Sequence, residues 1–132
     1  MSTQVVNIHW NKHYDMYCGR GRDPRTMIES PWGNPFSHLP GRTLAQYIVT
    51  TREEAVARHR QWIPDQPELL TRLPELYNKT LACFCLPSAC HVTTLAELAD
   101  KYMTLQPKDW LEFLESLRHP SVATKKSSLW DL

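Results

Sequence analysis

The chain has 132 residues, with 15 Lys or Arg against 14 Asp or Glu, a formal net charge of +1 and a hydrophobic fraction of 42%. That size suits a single domain with one core, and the apolar content is sufficient to fold it without disulfide or metal staples. A near-neutral balance offers no bulk attraction to nucleic acid, so such a partner would have to be held by a local basic patch.

No stretch of about 20 apolar residues occurs, so no membrane span and no membrane partner are expected. Residues Met1 to His9 lack the basic start and long apolar run of a signal peptide, which predicts a cytoplasmic chain. In that reducing compartment Cys18, Cys83, Cys85 and Cys90 are expected as thiols or metal ligands rather than disulfides.

Gln4 to His9 alternates apolar and polar residues and reads as a strand. Asp15-Met16-Tyr17-Cys18 reads as a second, closed by the turn signal Gly19-Arg20-Gly21. Residues 22 to 50 carry four prolines and two glycines, Gly33 and Gly41. A loop of this length is usually functional. Trp32 and Phe36 in its middle predict a packed loop rather than a floppy one. Thr51 and Glu54 fit a capping box that opens a helix carrying Ala55, Val56, His59, Trp62 and Ile63 at helical spacing, with Pro64 as its stop.

A second helix is expected after Pro67, burying Leu69, Leu70, Leu73 and Leu76. Thr80 to Cys85 is nearly all apolar and predicts a buried central strand. A helix from Cys90 to Tyr102 turns Val92, Leu95, Ala96, Leu98 and Ala99 inward. A last one from Pro107 buries Trp110, Phe113, Leu114 and Leu117. Strands followed by helices indicate an α/β fold class: a small single-domain layer structure with a short, mostly parallel sheet packed by helices. The domain is expected over residues 1–120, with a flexible C-terminal tail over 121–132 that ends Leu129-Trp130-Asp131-Leu132.

Two segments carry candidate chemistry. In the first, Cys83-Phe84-Cys85 leads through Pro87 to Cys90-His91 at a helix start. Alternation puts Cys83 and Cys85 on one face of the strand. Unpaired amides and the helix dipole favour negative charge at a helix start, which suits either a Cys90 thiolate or a bound anion. Three readings stay open: small buried hydrophobes; a zinc or iron site using Cys83, Cys85, Cys90 and His91; or a ligand or catalytic site with Cys90 and His91 as reactive groups. Adjacent helical residues point about 100° apart, so in the third reading Cys90 and His91 would act separately.

The second segment, Gly19-Arg20-Gly21-Arg22, places arginine forks beside a backbone that a ligand can approach closely. A solvated turn is the plain alternative to an anion clamp. Asn34, held extended by Pro35, could read a base or cap the loop, and Trp32 could stack on a ligand, although packing is the commoner use of such a ring.

The ordered set Tyr17-x-Gly19-Arg20-Gly21, Trp32-Gly33-Asn34-Pro35-Phe36, Glu54-Ala55-x-x-Arg58-x-Arg60-x-Trp62, Leu73-Pro74-Glu75-Leu76 and Leu81-x-Cys83-x-Cys85-x-Pro87-x-x-Cys90-His91 resembles the phage and bacterial family named domain of unknown function 4326, over roughly residues 14 to 100. The Cys-His turn is also similar to that of domain of unknown function 488. The resemblance implies phage association and points toward nucleotide metabolism. Two features depart from the pattern. Asp23 to Ser30 is longer than the usual link, and Val92-Thr93 stands where the family typically runs Gly-Asp, so a catalytic acid carried there by relatives would be missing.

The leading expectation is a domain that binds a nucleotide or another phosphorylated, anionic small molecule, with an enzyme of nucleotide or nucleic-acid modification as its catalytic form. Arg20 and Arg22 would hold the anion, Asn34 would orient the ligand, and Cys90 with His91 would react. The alternatives are a non-catalytic binding protein that captures a host protein through the tail, and a structural zinc protein.

Overall fold

The computed structural model describes residues 3–37, 47–83 and 90–119. Cys85, the turn 86–89 and the tail over 121–132, all singled out above, lie outside the described residues. Strand β1 (Gln4–Asn7) and strand β2 (Met16–Tyr17) both pair in parallel with β5 (Thr80–Cys83), giving the order β1-β5-β2. The apolar run at 80–83 is therefore central, with Leu81 aligned between Val5 and Met16. A central parallel strand is covered on both faces, which is why it reads as continuous rather than alternating.

One face of the sheet packs on helices. Helix α3 (His91–Thr104) buries His91, Val92, Thr94, Leu95, Ala96, Leu98 and Ala99, which includes the whole set expected from periodicity. Helix α4 (Pro107–Arg118) adds Leu114 and Leu117, with Trp110 and Phe113 partly buried. On the other face a smaller cluster joins Ile8, Tyr14, Tyr17 and Ala82. Among the described residues no helix is long and apolar enough to cross a membrane.

Helix α1 (Arg52–Trp62) starts at Thr51, whose hydroxyl accepts from the Glu54 amide at 3.0 Å. The reciprocal half of the expected capping box is displaced by one residue: the Glu54 carboxylate accepts from the Thr50 amide and hydroxyl, at 3.1 and 2.6 Å. Thr51→Ala should cost about 1 kcal/mol, read as a lower urea midpoint at unchanged slope. The helix ends into a 3₁₀ turn at Ile63–Asp65, as proline requires. The segment expected as one helix after Pro67 is a single turn, α2 (Pro67–Leu70), then a 3₁₀ turn at Leu73–Glu75. Pro74 breaks the ladder, and Leu73 and Leu76 are still fully buried.

The loop over 22–50 is packed over 32–37 and at Asp23, whereas 24–29 and Tyr47–Ile48 are exposed. Asp23 is buried and accepts from Tyr14 Oη at 2.8 Å and from the Arg25 amide at 2.9 Å. A bridge between Arg22 and Glu29 makes 21–30 a short hairpin. Strand β3 (Phe36–Ser37) pairs in parallel with β4 (Tyr47–Ile48). Two-residue strands show no sequence period, so neither could be read beforehand.

Candidate functional site

All three strands of the β1-β5-β2 sheet end on the same side, and open parallel sheets bind ligands there. From that edge the chain continues from β2 into Cys18-Gly19-Arg20-Gly21. The Tyr17 hydroxyl donates to the Arg20 carbonyl at 2.9 Å and closes the turn over Gly19, which is buried against the Tyr17 ring. Gly21 has φ 79°, a conformation that L side chains rarely adopt.

Helix α3 enters the same edge, and the N-terminal turn and the late Cys-His segment meet there. His91 Nε2 lies 2.8 Å from the Cys18 carbonyl and 2.9 Å from the Trp32 carbonyl, contacts spanning 73 and 59 positions of chain. Both oxygens are acceptors, so Nε2 carries the proton and donates to the pair. Nδ1 then presents its lone pair, and the Cys90 sulfur lies 4.0 Å from it.

That last contact corrects the expectation that the two side chains act separately. Cys90 is the N-cap, with extended φ −147° and ψ 140°, so the 100° step between successive helical residues does not apply to it. A thiol facing an imidazole that is itself oriented by a third group has the layout of an activated nucleophile. Burial tempers it, because Cys90 is 2% exposed and His91 7%. Burial, against the opposing effect of the two carbonyl hydrogen bonds, holds His91 down at about 4, so it is neutral at physiological pH.

His59 of α1 sits edge-on to His91, with ring centroids 5.0 Å apart. It is fully buried, and burial together with its neighbour His91 drives it well below the usual imidazole range. Burial, then the neighbouring Cys83 thiol, pushes the Cys18 thiol far above its ordinary value, so it stays protonated.

Among the described residues no group of three His, Cys, Asp or Glu side chains could hold a metal, and the four-ligand set of Cys83, Cys85, Cys90 and His91 includes one position outside them. His91 retains only Nδ1 for such a role.

A cleft of about 310 Å³ opens at this edge. Arg20 and Gly21 line it from the first turn, Glu29 and Ser30 from the hairpin, Gly33 and Asn34 from the loop, and Trp62 from the end of α1. Arg20 is half-buried and donates one weak bond to the Phe36 carbonyl at 3.3 Å. No carboxylate lies within ion-pair distance of its guanidinium among the described residues. A Cβ on Gly33 would come within 2.9 Å of the Arg20 Cα, so the glycine lets the two walls meet.

The expected site residues therefore divide. Arg20, Gly21 and Asn34 line the cleft, Gly19 supports its turn, and Arg22 is exposed on the hairpin without lining it. The Asn34 amide is already engaged: Nδ2 donates to the Ala55 carbonyl at 3.0 Å and Oδ1 accepts from the Phe36 amide at 2.9 Å. These bonds fasten the loop to α1. Trp32 is 1% exposed and is a packing group, not a stacking platform. Cys90 and His91 do not line the cleft; His91 joins the segments that form its two walls through the Cys18 and Trp32 carbonyls. Sequence reasoning missed Glu29, Ser30, Pro31, Gly33, Pro35 and Trp62 as lining residues. Gly33, Pro35 and Trp62 stand in the ordered motif set, and the helical spacing of Trp62 reads as packing.

A family model described as domain of unknown function (DUF4326) matches residues 5–101. The chain belongs to this family. The match begins in β1, earlier than the motifs alone suggest, and ends inside α3, so it takes in every element that builds the cleft. No curated protein and no solved structure matches the chain.

Proposed function

We propose that this DUF4326 domain binds a small phosphorylated ligand in the cleft at the strand ends, with Arg20 as the anion anchor. The observation that carries the reading is a half-buried guanidinium, unpaired with any carboxylate among the described residues, lining a cleft at the carboxyl edge of a parallel sheet. Arginine offers a planar fork matched to phosphate oxygens, and a partly desolvated fork binds them more strongly than an exposed one. The Ser30 hydroxyl, which accepts from the Trp32 amide at 3.1 Å, keeps its own proton to donate.

Calorimetric titration with inorganic phosphate and with ribose 5-phosphate tests this. Arg20→Ala should weaken both by about tenfold or more, the value of one charge-assisted pair, at unchanged thermal stability. Equal affinity in wild type and variant would overturn the assignment.

One further observation supports an enzymatic form of the same reading. The Cys90 thiol faces the His91 imidazole, and that ring bonds the carbonyl of Trp32, the residue before Gly33 of the cleft lining. A thiol reagent that labels Cys90 only when the cleft is unliganded would support this form, and inert Cys90 in both states would reduce the pair to a structural clasp.

A further inference from the structure

The lining of the cleft says more about its ligand than that it is phosphorylated. Among the described residues, one guanidinium, Arg20, and one carboxylate, Glu29, are the charged groups that line it, and Trp62 supplies an aromatic wall. At about 310 Å³ the cleft sits at the small end of ligand pockets, which run from roughly 300 to 1,000 Å³. Building on the phosphorylated-ligand reading, we propose that it takes a nucleoside monophosphate, with the phosphate on Arg20, the base against Trp62 and the sugar hydroxyls toward Glu29.

Charge counting supports the monophosphate. A single guanidinium fork satisfies one phosphate. Among the described residues, further phosphates would find no second cation in the lining and would face the Glu29 carboxylate. A second cleft, of about 320 Å³, is lined by Lys12, His13, Asp15, Arg25 and Thr80 at the other end of the sheet and shares no lining residue with the first.

The remaining contacts supply the nucleoside. Every base has a π-face that stacks on an indole without sequence preference. Trp62 is held for this by its position: its ring packs at 5.7 Å from the buried His59 ring, so it is fixed on one side and lines the cleft on the other. A carboxylate accepting sugar hydroxyls is the arrangement that nucleotide sites at strand ends commonly use. Glu29 is exposed and bridged to Arg22 through the backbone, so its carboxylate remains available.

The test compares binding of the adenosine, guanosine, cytidine and uridine 5′-monophosphates with that of the parent nucleosides, the 5′-triphosphates and ribose 5-phosphate. At least one monophosphate should bind about tenfold more tightly than its nucleoside and than ribose 5-phosphate, and no more weakly than its triphosphate. Arg20→Ala should bring that monophosphate down to the level of its nucleoside. Glu29→Gln, at an exposed position where folding is not at risk, should raise triphosphate affinity relative to monophosphate. Tighter triphosphate binding in wild type, or ribose 5-phosphate binding as tightly as every nucleotide, would overturn the nucleoside monophosphate while leaving a phosphorylated ligand in place. If neither inorganic phosphate nor any phosphorylated compound binds, both readings fall together.

Discussion

His91→Ala is expected to destabilise the protein by about 3–5 kcal/mol, seen as a fall of roughly 10–20 °C in Tm. The His91 ring donates through Nε2 to two backbone carbonyls, those of Cys18 and Trp32, which have to be paired once water is excluded. Alanine would leave both without this donor and would open a cavity beside His59 and Cys90. For a domain of this size, whose whole stability is about 5–15 kcal/mol, that is a large share. His91→Gln, which can still donate one hydrogen bond, should recover part of the loss. A cost under about 1 kcal/mol for His91→Ala would mean that the clasp is not what joins the two cleft walls.

Mild acid should produce a similar loss without any mutation. Burial holds His59 and His91 neutral in the folded chain, with His91 at about 4, whereas in the unfolded chain each returns to the ordinary imidazole value of 6.5. The sign follows from proton counting: below 6.5 the unfolded state binds more protons than the folded one, so stability falls with pH. The loss begins near pH 6.5 and, for His91, continues until about pH 4. Each histidine contributes a slope of about 1.4 kcal/mol per pH unit within its window, and His91 alone would account for roughly 3 kcal/mol across it. Asp23 does not enter this window, because its carboxyl is held below the ordinary carboxylate value: burial pushes it up, but the Arg25 amide, the Tyr14 hydroxyl and the Arg25 charge together outweigh that. Urea midpoints measured at pH 7 and at pH 5 should differ strongly in wild type and less in a folded His59→Gln variant. A flat profile between those values would show that the two rings are hydrated.

The two effects share one cause, which also explains what could be read from the chain. Features with a long period were legible: the inward set of α3, the apolar run of β5 and the Thr51 cap each repeat a local rule over several residues. The parallel pairing of β3 with β4 was not, because two residues show no alternation. At the site, Arg20 was legible as a cation beside glycines after a strand. The partner of Asn34 is the Ala55 carbonyl, 21 positions away, and nothing local announces it. His59 has apolar helical spacing and reads as core, which it is. Its meeting with His91 depends on how α1 crosses α3, a matter of tertiary packing that periodicity does not encode. The contact between Cys90 and His91 was misjudged because a helical rule was extended to a cap residue whose backbone is extended.

Amide chemical-shift mapping during a titration with inorganic phosphate tests the cleft most directly. Saturable shifts should cluster on the backbone of Arg20, Gly21, Ser30, Gly33 and Asn34 and should vanish in Arg20→Ala. Shifts that gather instead at Lys12, His13 and Arg25, around the cleft at the opposite end of the sheet, or that rise without saturation across the surface, would contradict it.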